Sequence, residues 1–218
     1  MIRIAQGRIV IAALAVVAYA ASAGNSFADS TPIPRAYLQI ESASVDRGRG
    51  WMLYLDGVIE SGADQRLAQF VDQQGIAQAD VYFNSPGGSL LAGMAIGRFL
   101  RERGFDTHVG TRTSNVRRPA DGVCYSACPF AFAGGVQRSL RKGSVLGVHR
   151  ARNRVPLADD EAFERRVQAD ATRYLLEMGA SPQLAELMRK VPAGGIRVLT
   201  REEATEFGLV NSGTASRR

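Results

Sequence analysis

Three short segments, taken in order, constrain this chain most: Asn84-Ser85-Pro86-Gly87-Gly88, Cys124-Tyr125-Ser126-Ala127-Cys128 and Gly147-Val148-His149. They read as a glycine-rich turn opening a helix, a serine on a small-residue turn, and a histidine ending an apolar strand. A serine hydroxyl is a weak nucleophile until a base takes its proton. The oxyanion formed by its attack needs backbone N–H donors, which a Gly-Gly turn offers without side-chain obstruction. Together the segments hold the parts of an acyl transfer.

The flanking sequence alternates strand and helix patterns. Tyr37 to Ile40 has the makings of an edge strand, and Trp51 to Ile59 alternates around Leu53 and Leu55. Gln65 to Gln73 follows a helical period, and Ala79 to Phe83 is a short apolar strand leading into the glycine turn. The next helix carries Leu91, Met94, Ala95 and Phe99 on one face and ends at Gly104. Thr107 to Gly110 reads as a strand, 111–122 as a polar loop, Ser126 to Ala133 as a small-residue helix, and Val145 to His149 as a buried strand. Asp159 to Met178 is the clearest helix, with Phe163, Val167, Tyr174 and Met178 spaced at steps of four and seven on one face and acids in its first turn. Ser181-Pro182 caps another helix, and Thr200 to Glu203 forms a capping box before Gly208. This alternation implies an α/β fold, a parallel β-sheet with crossover helices.

The two ends are set apart. Arg3 and Arg8 precede an apolar stretch from Ile9 to Ala23, and Ser26-Phe27-Ala28 forms a small-x-small site. That stretch holds 15 residues, short of the roughly 20 a spanning helix requires. Residues 1–28 therefore read as a cleaved signal peptide, with Ala21-Ser22-Ala23 as a second possible site, and the mature chain as periplasmic or secreted. A lead at 29–50, one domain over 51–212 and a tail at 213–218 complete the expected organisation. The net charge of +6 is spread along the chain, without an aromatic-interleaved basic stripe, so nucleic acid is not expected as a partner.

The three segments, together with Phe130-Ala131-Phe132-Ala133-Gly134-Gly135 and Glu206-Phe207-Gly208-Leu209-Val210-Asn211, resemble the Clp protease proteolytic subunit of the ClpP/crotonase superfamily. The similarity runs from about Trp51 to Asn211, and the C-x-S-x-C pattern is closer to a secreted bacterial branch of that superfamily. The resemblance implies a ClpP/crotonase-like fold in which Asp159 to Met178, after the histidine, serves as the handle of a homo-oligomer. It also implies peptide or unfolded-protein substrates and no cofactor. Outside the cytoplasm, without ATP, the unfoldase partner of the cytosolic relatives is not expected.

On this reading Ser126 is the nucleophile, where the bland reading is a helix cap. His149 is the base; the other histidine, His108, matches no family position. Gly88 and Ala127 offer the oxyanion N–H groups and Gly87 shapes their turn, which tight-turn geometry alone would also explain. Cys124 and Cys128 are a candidate disulfide in an exported chain, with two buried thiols as the alternative; C-x₃-C with His149 is a poor metal set. Aligned with the family, Ile196 stands where the catalytic aspartate belongs. An active enzyme would then be a slow Ser–His dyad or recruit Asp159, Asp160 or Asp170. Lys142 and Lys190 suit a Ser–Lys dyad poorly, since neither sits in a buried setting.

The expected function is an exported serine peptidase or hydrolase using Ser–His acyl transfer. Crotonase-type acyl-CoA chemistry is disfavoured by export and by the Ser126–His149 pair. A catalytically impaired oligomeric scaffold or peptide-binding module is the alternative that Ile196 favours.

Overall fold

A computed structural model of the chain describes residues 37–45, 50–115, 117–151, 160–192 and 194–211. The segments expected as signal peptide and as C-terminal tail lie outside them. The alternating patterns fold into an α/β arrangement with a mixed sheet. Its strands are β1 (Gln39–Val45), β2 (Gly50–Asp56), β3 (Ala79–Asn84), β4 (Asp106–Val109) and β6 (Arg138–Leu140), in the order β1-β2-β3-β4-β6. All neighbouring pairs are parallel except β1 with β2. A second sheet orders β5 (Val123–Tyr125), β7 (Val145–Val148) and β8 (Arg197–Leu199), with β5 parallel and β8 antiparallel to β7.

Four strands depart from the sequence reading: β1 in its length, and β5, β6 and β8, three residues each, in being strands at all. β1 extends five residues beyond Ile40 and pairs over its whole length with β2, so the sheet begins inside the stretch read as a flexible lead. β6 is only three residues long, too short to leave a periodic signal, and is held by its pairing with Thr107, His108 and Val109.

The helices are α1 (Ala63–Gln73), α2 (Leu90–Glu102), α3 (Cys128–Ala133), α4 (Asp160–Glu177), α5 (Pro182–Lys190) and α6 (Arg201–Glu206). None among the described residues is long and apolar enough to cross a membrane. The buried face of α2 is shifted from the expected one. Met94 is buried and Phe99 packs on the core as expected, but Leu91 is 74% exposed, and Ala92, Gly93, Ile96, Gly97 and Leu100 are buried. The reason is close approach. A Cβ on Gly93 would stand 2.6 Å from the Ala127 carbonyl oxygen, and one on Gly97 would meet the Phe130 carbonyl at 2.7 Å. Small residues let α2 lie directly on α3, and larger ones there would hold the helices apart.

Local caps follow the sequence in one case and not in another. Thr200 and Glu203 form both halves of a capping box at α6. Ser181 occupies the N-cap of α5, but its hydroxyl is buried and makes no hydrogen bond. Pro182 at the first helical position lacks an N–H in any case, which lessens the need for a cap there.

A buried arginine ties the C-terminal segment to the sheet. Arg138 donates to the carbonyls of Gly135, Gly208 and Leu209 at 2.8–2.9 Å. Burial, and after it the neighbouring Arg101, push its pKa down to about 10, so it stays a cation at neutral pH.

Candidate active site

The two sheets meet where β3 ends. Ser85 forms a bridge with Cys124: its N–H donates to the Val123 carbonyl and its own carbonyl accepts from Tyr125. The Asn84 side chain reinforces the junction, accepting from the Val123 N–H and donating to Asp56. The carboxyl ends of β3, β5 and β7 thereby converge, the location where open α/β sheets collect their ligands. In the sequence Ser85 and Asn84 stand out only as part of a glycine turn. Their side chains are what lock it: the Ser85 hydroxyl accepts from the Gly87 N–H at 3.1 Å.

Ser126 follows β5 in the left-handed region, at φ 61°. It is the one non-glycine residue with positive φ among those described, a conformation that costs roughly 1–3 kcal/mol and recurs at functional turns. Its hydroxyl does not cap α3. The N-cap is Ala127, which makes no side-chain cap bond, and Ser126 Oγ instead lies 2.7 Å from His149 Nε2. His149 stands one residue past the end of β7, and both residues are half-buried, open on one side. The Ser126 N–H donates to the Gly147 carbonyl, which secures the turn against β7.

The glycine loop presses onto this turn. A Cβ on Gly87 would lie 2.5 Å from Ser126 Cβ and 2.8 Å from the Ala127 nitrogen, so only glycine admits this approach. Gly88 is held on its other side by the Ile59 main chain, which accepts from Ser89 and donates to the Gly87 carbonyl. Among the described residues, the N–H groups of Gly88 and Ala127 meet no hydrogen-bond acceptor. Ala127 is buried and Gly88 half-buried, and main-chain donors so placed are normally paired, so two free ones beside a serine are suited to a developing negative charge.

Cys124 and Cys128 are bonded, with Cα atoms 5.2 Å apart, one in the middle of β5 and the other at the start of α3. Both are fully buried. Cys124 lies on the strand rather than on the helix, which relieves the i, i+4 helical geometry that bridges poorly. Among the described residues no group of three or more His, Cys, Asp or Glu side chains is placed to hold a metal.

Ile196 sits beside this site. Val148 pairs with Arg197, so the next step in register sets Ile196 across from His149. Its Cγ2 lies so near Gly147 that a Cβ there would come within 2.5 Å, with the Tyr125 ring on the same side. Of the acids considered as substitutes, Asp170 pairs with Arg173 at 3.2 Å; Asp159 and the Asp160 side chain lie outside the described residues. The second ring nitrogen, His149 Nδ1, is 2.8 Å from the carbonyl oxygen of Arg150.

The chain matches no family model and no curated protein.

His108 lies elsewhere, on β4. It stacks on Tyr82 at 4.7 Å and contacts Ser139 and Asp80 across the sheet. This second serine–histidine–aspartate row lies along adjacent strands, away from the glycine loop. A cleft of about 750 Å³ runs between α4 and α5; Arg150 is in its wall and Ser126 is not.

Proposed function

We propose that the chain is a serine hydrolase of ClpP/crotonase-like fold that cleaves peptides or unfolded protein outside the cytoplasm, without a cofactor or an ATPase partner. The observation that carries this reading is the 2.7 Å contact between Ser126 Oγ and His149 Nε2, made at a left-handed serine beside two unpaired N–H groups. In the reaction His149 Nε2 takes the hydroxyl proton while Oγ bonds to the substrate carbonyl carbon. The Gly88 and Ala127 N–H groups would receive the oxyanion. Collapse breaks the bond to the leaving amine, which takes the proton from His149, and water then releases the acyl group by the same steps. Parallel strands crossing into helices, two sheets joined at Ser85, and a long α4 after His149 support the fold assignment and a homo-oligomer built on α4.

A non-catalytic scaffold of the same fold is the second reading, favoured by the apolar Ile196 across from His149. Labelling with a fluorophosphonate probe separates the two. The hydrolase reading expects covalent labelling that Ser126→Ala abolishes and His149→Ala lowers by at least about 10²-fold, the lower range for loss of a general base. Equal labelling of Ser126→Ala and wild type would leave the scaffold.

A further inference from the structure

The histidine of a serine–histidine pair must present an unprotonated nitrogen to the hydroxyl, and something has to hold it in that tautomer. Among the described residues no carboxylate stands across from His149, and the position in register is Ile196. What meets Nδ1 is the Arg150 carbonyl oxygen, at 2.8 Å. A carbonyl oxygen only accepts, so the proton belongs on Nδ1 and Nε2 is left as the acceptor facing Ser126.

The carbonyl of a neighbouring residue orients a ring only if its own peptide is held still. Here both sides of that peptide are tied. The Arg150 N–H donates to the Val191 carbonyl at the end of α5, at 3.2 Å. One residue on, the Ala151 carbonyl accepts from Gln168 Nε2 at 2.8 Å, and Gln168 is half-buried on α4. The Arg150 side chain is exposed and takes no part in the hold.

We propose that the Arg150 main-chain carbonyl, clamped through Gln168 and Val191, orients His149 in place of a carboxylate, which makes Gln168 a positioning residue for the reaction. The inference rests on the hydrolase reading. A carbonyl is a dipole without net charge, so it sets the tautomer as an aspartate does but stabilises the imidazolium less. The resulting pair is correctly oriented and slow.

The first test needs no variant of the site itself. The chain has two histidines, so the nitrogen signals of ¹⁵N-histidine-labelled full-length protein divide between His108 and His149, and His108→Gln assigns them. The expected result is a neutral His149 ring protonated on Nδ1. A proton on Nε2 would overturn the carbonyl assignment while leaving the hydrolase reading intact if Ser126 still labels. Protonation on Nδ1 with no labelling of Ser126 would instead support the hold on the ring and sink the hydrolase reading.

The second test is the clamp. Gln168→Met keeps the length but loses the donor, whereas Gln168→Lys restores one. Gln168→Met is expected to mix the His149 tautomers and slow fluorophosphonate labelling about tenfold, a fraction of the 10²–10⁴ a general base supplies. Gln168→Lys is expected to recover most of both. An unchanged tautomer and rate in Gln168→Met would overturn the clamp.

Discussion

Cys124 and Cys128 are bonded across the turn that carries Ser126, which stands midway between them. One sulfur belongs to β5 and the other to α3, so the bond closes the left-handed serine turn from behind. By loop-entropy reasoning so short a ring contributes on the order of 2 kcal/mol. Its greater effect falls on the local conformation. Reduction, or the Cys124→Ala/Cys128→Ala double variant, is expected to lower the melting temperature by about 4–8 °C for a chain of this size. It is also expected to slow labelling of Ser126 by more than that loss explains, when both are measured well below the transition. Thiol titration checks the bond itself: none in the denatured unreduced protein, two after reduction. Two titratable thiols before reduction would contradict it.

Gly87 and Gly88 face different neighbours, so alanine should act differently at each. At Gly87 the new Cβ would strike Ser126 and the Ala127 nitrogen, the heart of the site. Loss of an oxyanion donor costs about 10²–10³ in kcat, and Gly87→Ala is expected to lose at least that much activity. At Gly88 the Cβ would fall 2.2 Å from the Ile59 carbonyl oxygen, so Gly88→Ala is expected to lower stability as well. Denaturant unfolding beside turnover of a peptide substrate distinguishes them.

Ile196 is 44% exposed, so an acid there need not be buried. Ile196→Asp places a carboxylate across the strand pair from His149. Spoiling that acid in serine proteases lowers kcat about 10⁴-fold, largely through the wrong tautomer. Because the Arg150 carbonyl already supplies the tautomer, the expected gain is smaller, about tenfold, from charge stabilisation of the imidazolium. Steady-state hydrolysis of a peptide measures it, and a flat result would mean that the introduced carboxylate does not reach the ring.

Arg138 gathers three main-chain carbonyls in the interior. Arg138→Met keeps much of the volume and removes every donor. Unpaired buried acceptors cost about 1–3 kcal/mol each, so a loss of roughly 3 kcal/mol or more is expected by urea unfolding. A change below about 0.5 kcal/mol, the range of an ordinary surface substitution, would show that the C-terminal segment is held by other means.

Export makes a separate claim. The Arg3/Arg8 region and Ser26-Phe27-Ala28 lead to an expected mature N-terminus at Asp29. Intact-mass measurement of the periplasmic or secreted protein checks it, and a cytosolic chain still beginning at Met1 would refute it.

Much of this molecule is written locally. The order of the glycine turn, Ser126 and His149, the period of α1 and α4, and the Thr200–Glu203 box each depend on residues a few positions apart, and sequence exposes such short-range preferences. Other features depend on distant partners. A hydrophobic pattern wrongly places Leu91 on the buried face of α2 because Gly93 and Gly97, mute in that pattern, decide how closely α3 approaches. Strand β6 and the length of β1 exist through pairing. Ser181 shows the converse, a good cap residue whose hydroxyl finds no partner.

The sequence by itself determined which groups were available for chemistry: one serine on a small turn, a histidine after an apolar strand, glycines ahead of a helix, and an isoleucine where an acid was expected. Tertiary structure alone decided how they act. It set Ser126 at positive φ, brought Nε2 to its hydroxyl, and gave Nδ1 a main-chain carbonyl in place of a carboxylate. The reason is physical. Every residue carries the same carbonyl oxygen, so a site that uses the backbone as acceptor leaves no mark in the identity of the residue that supplies it.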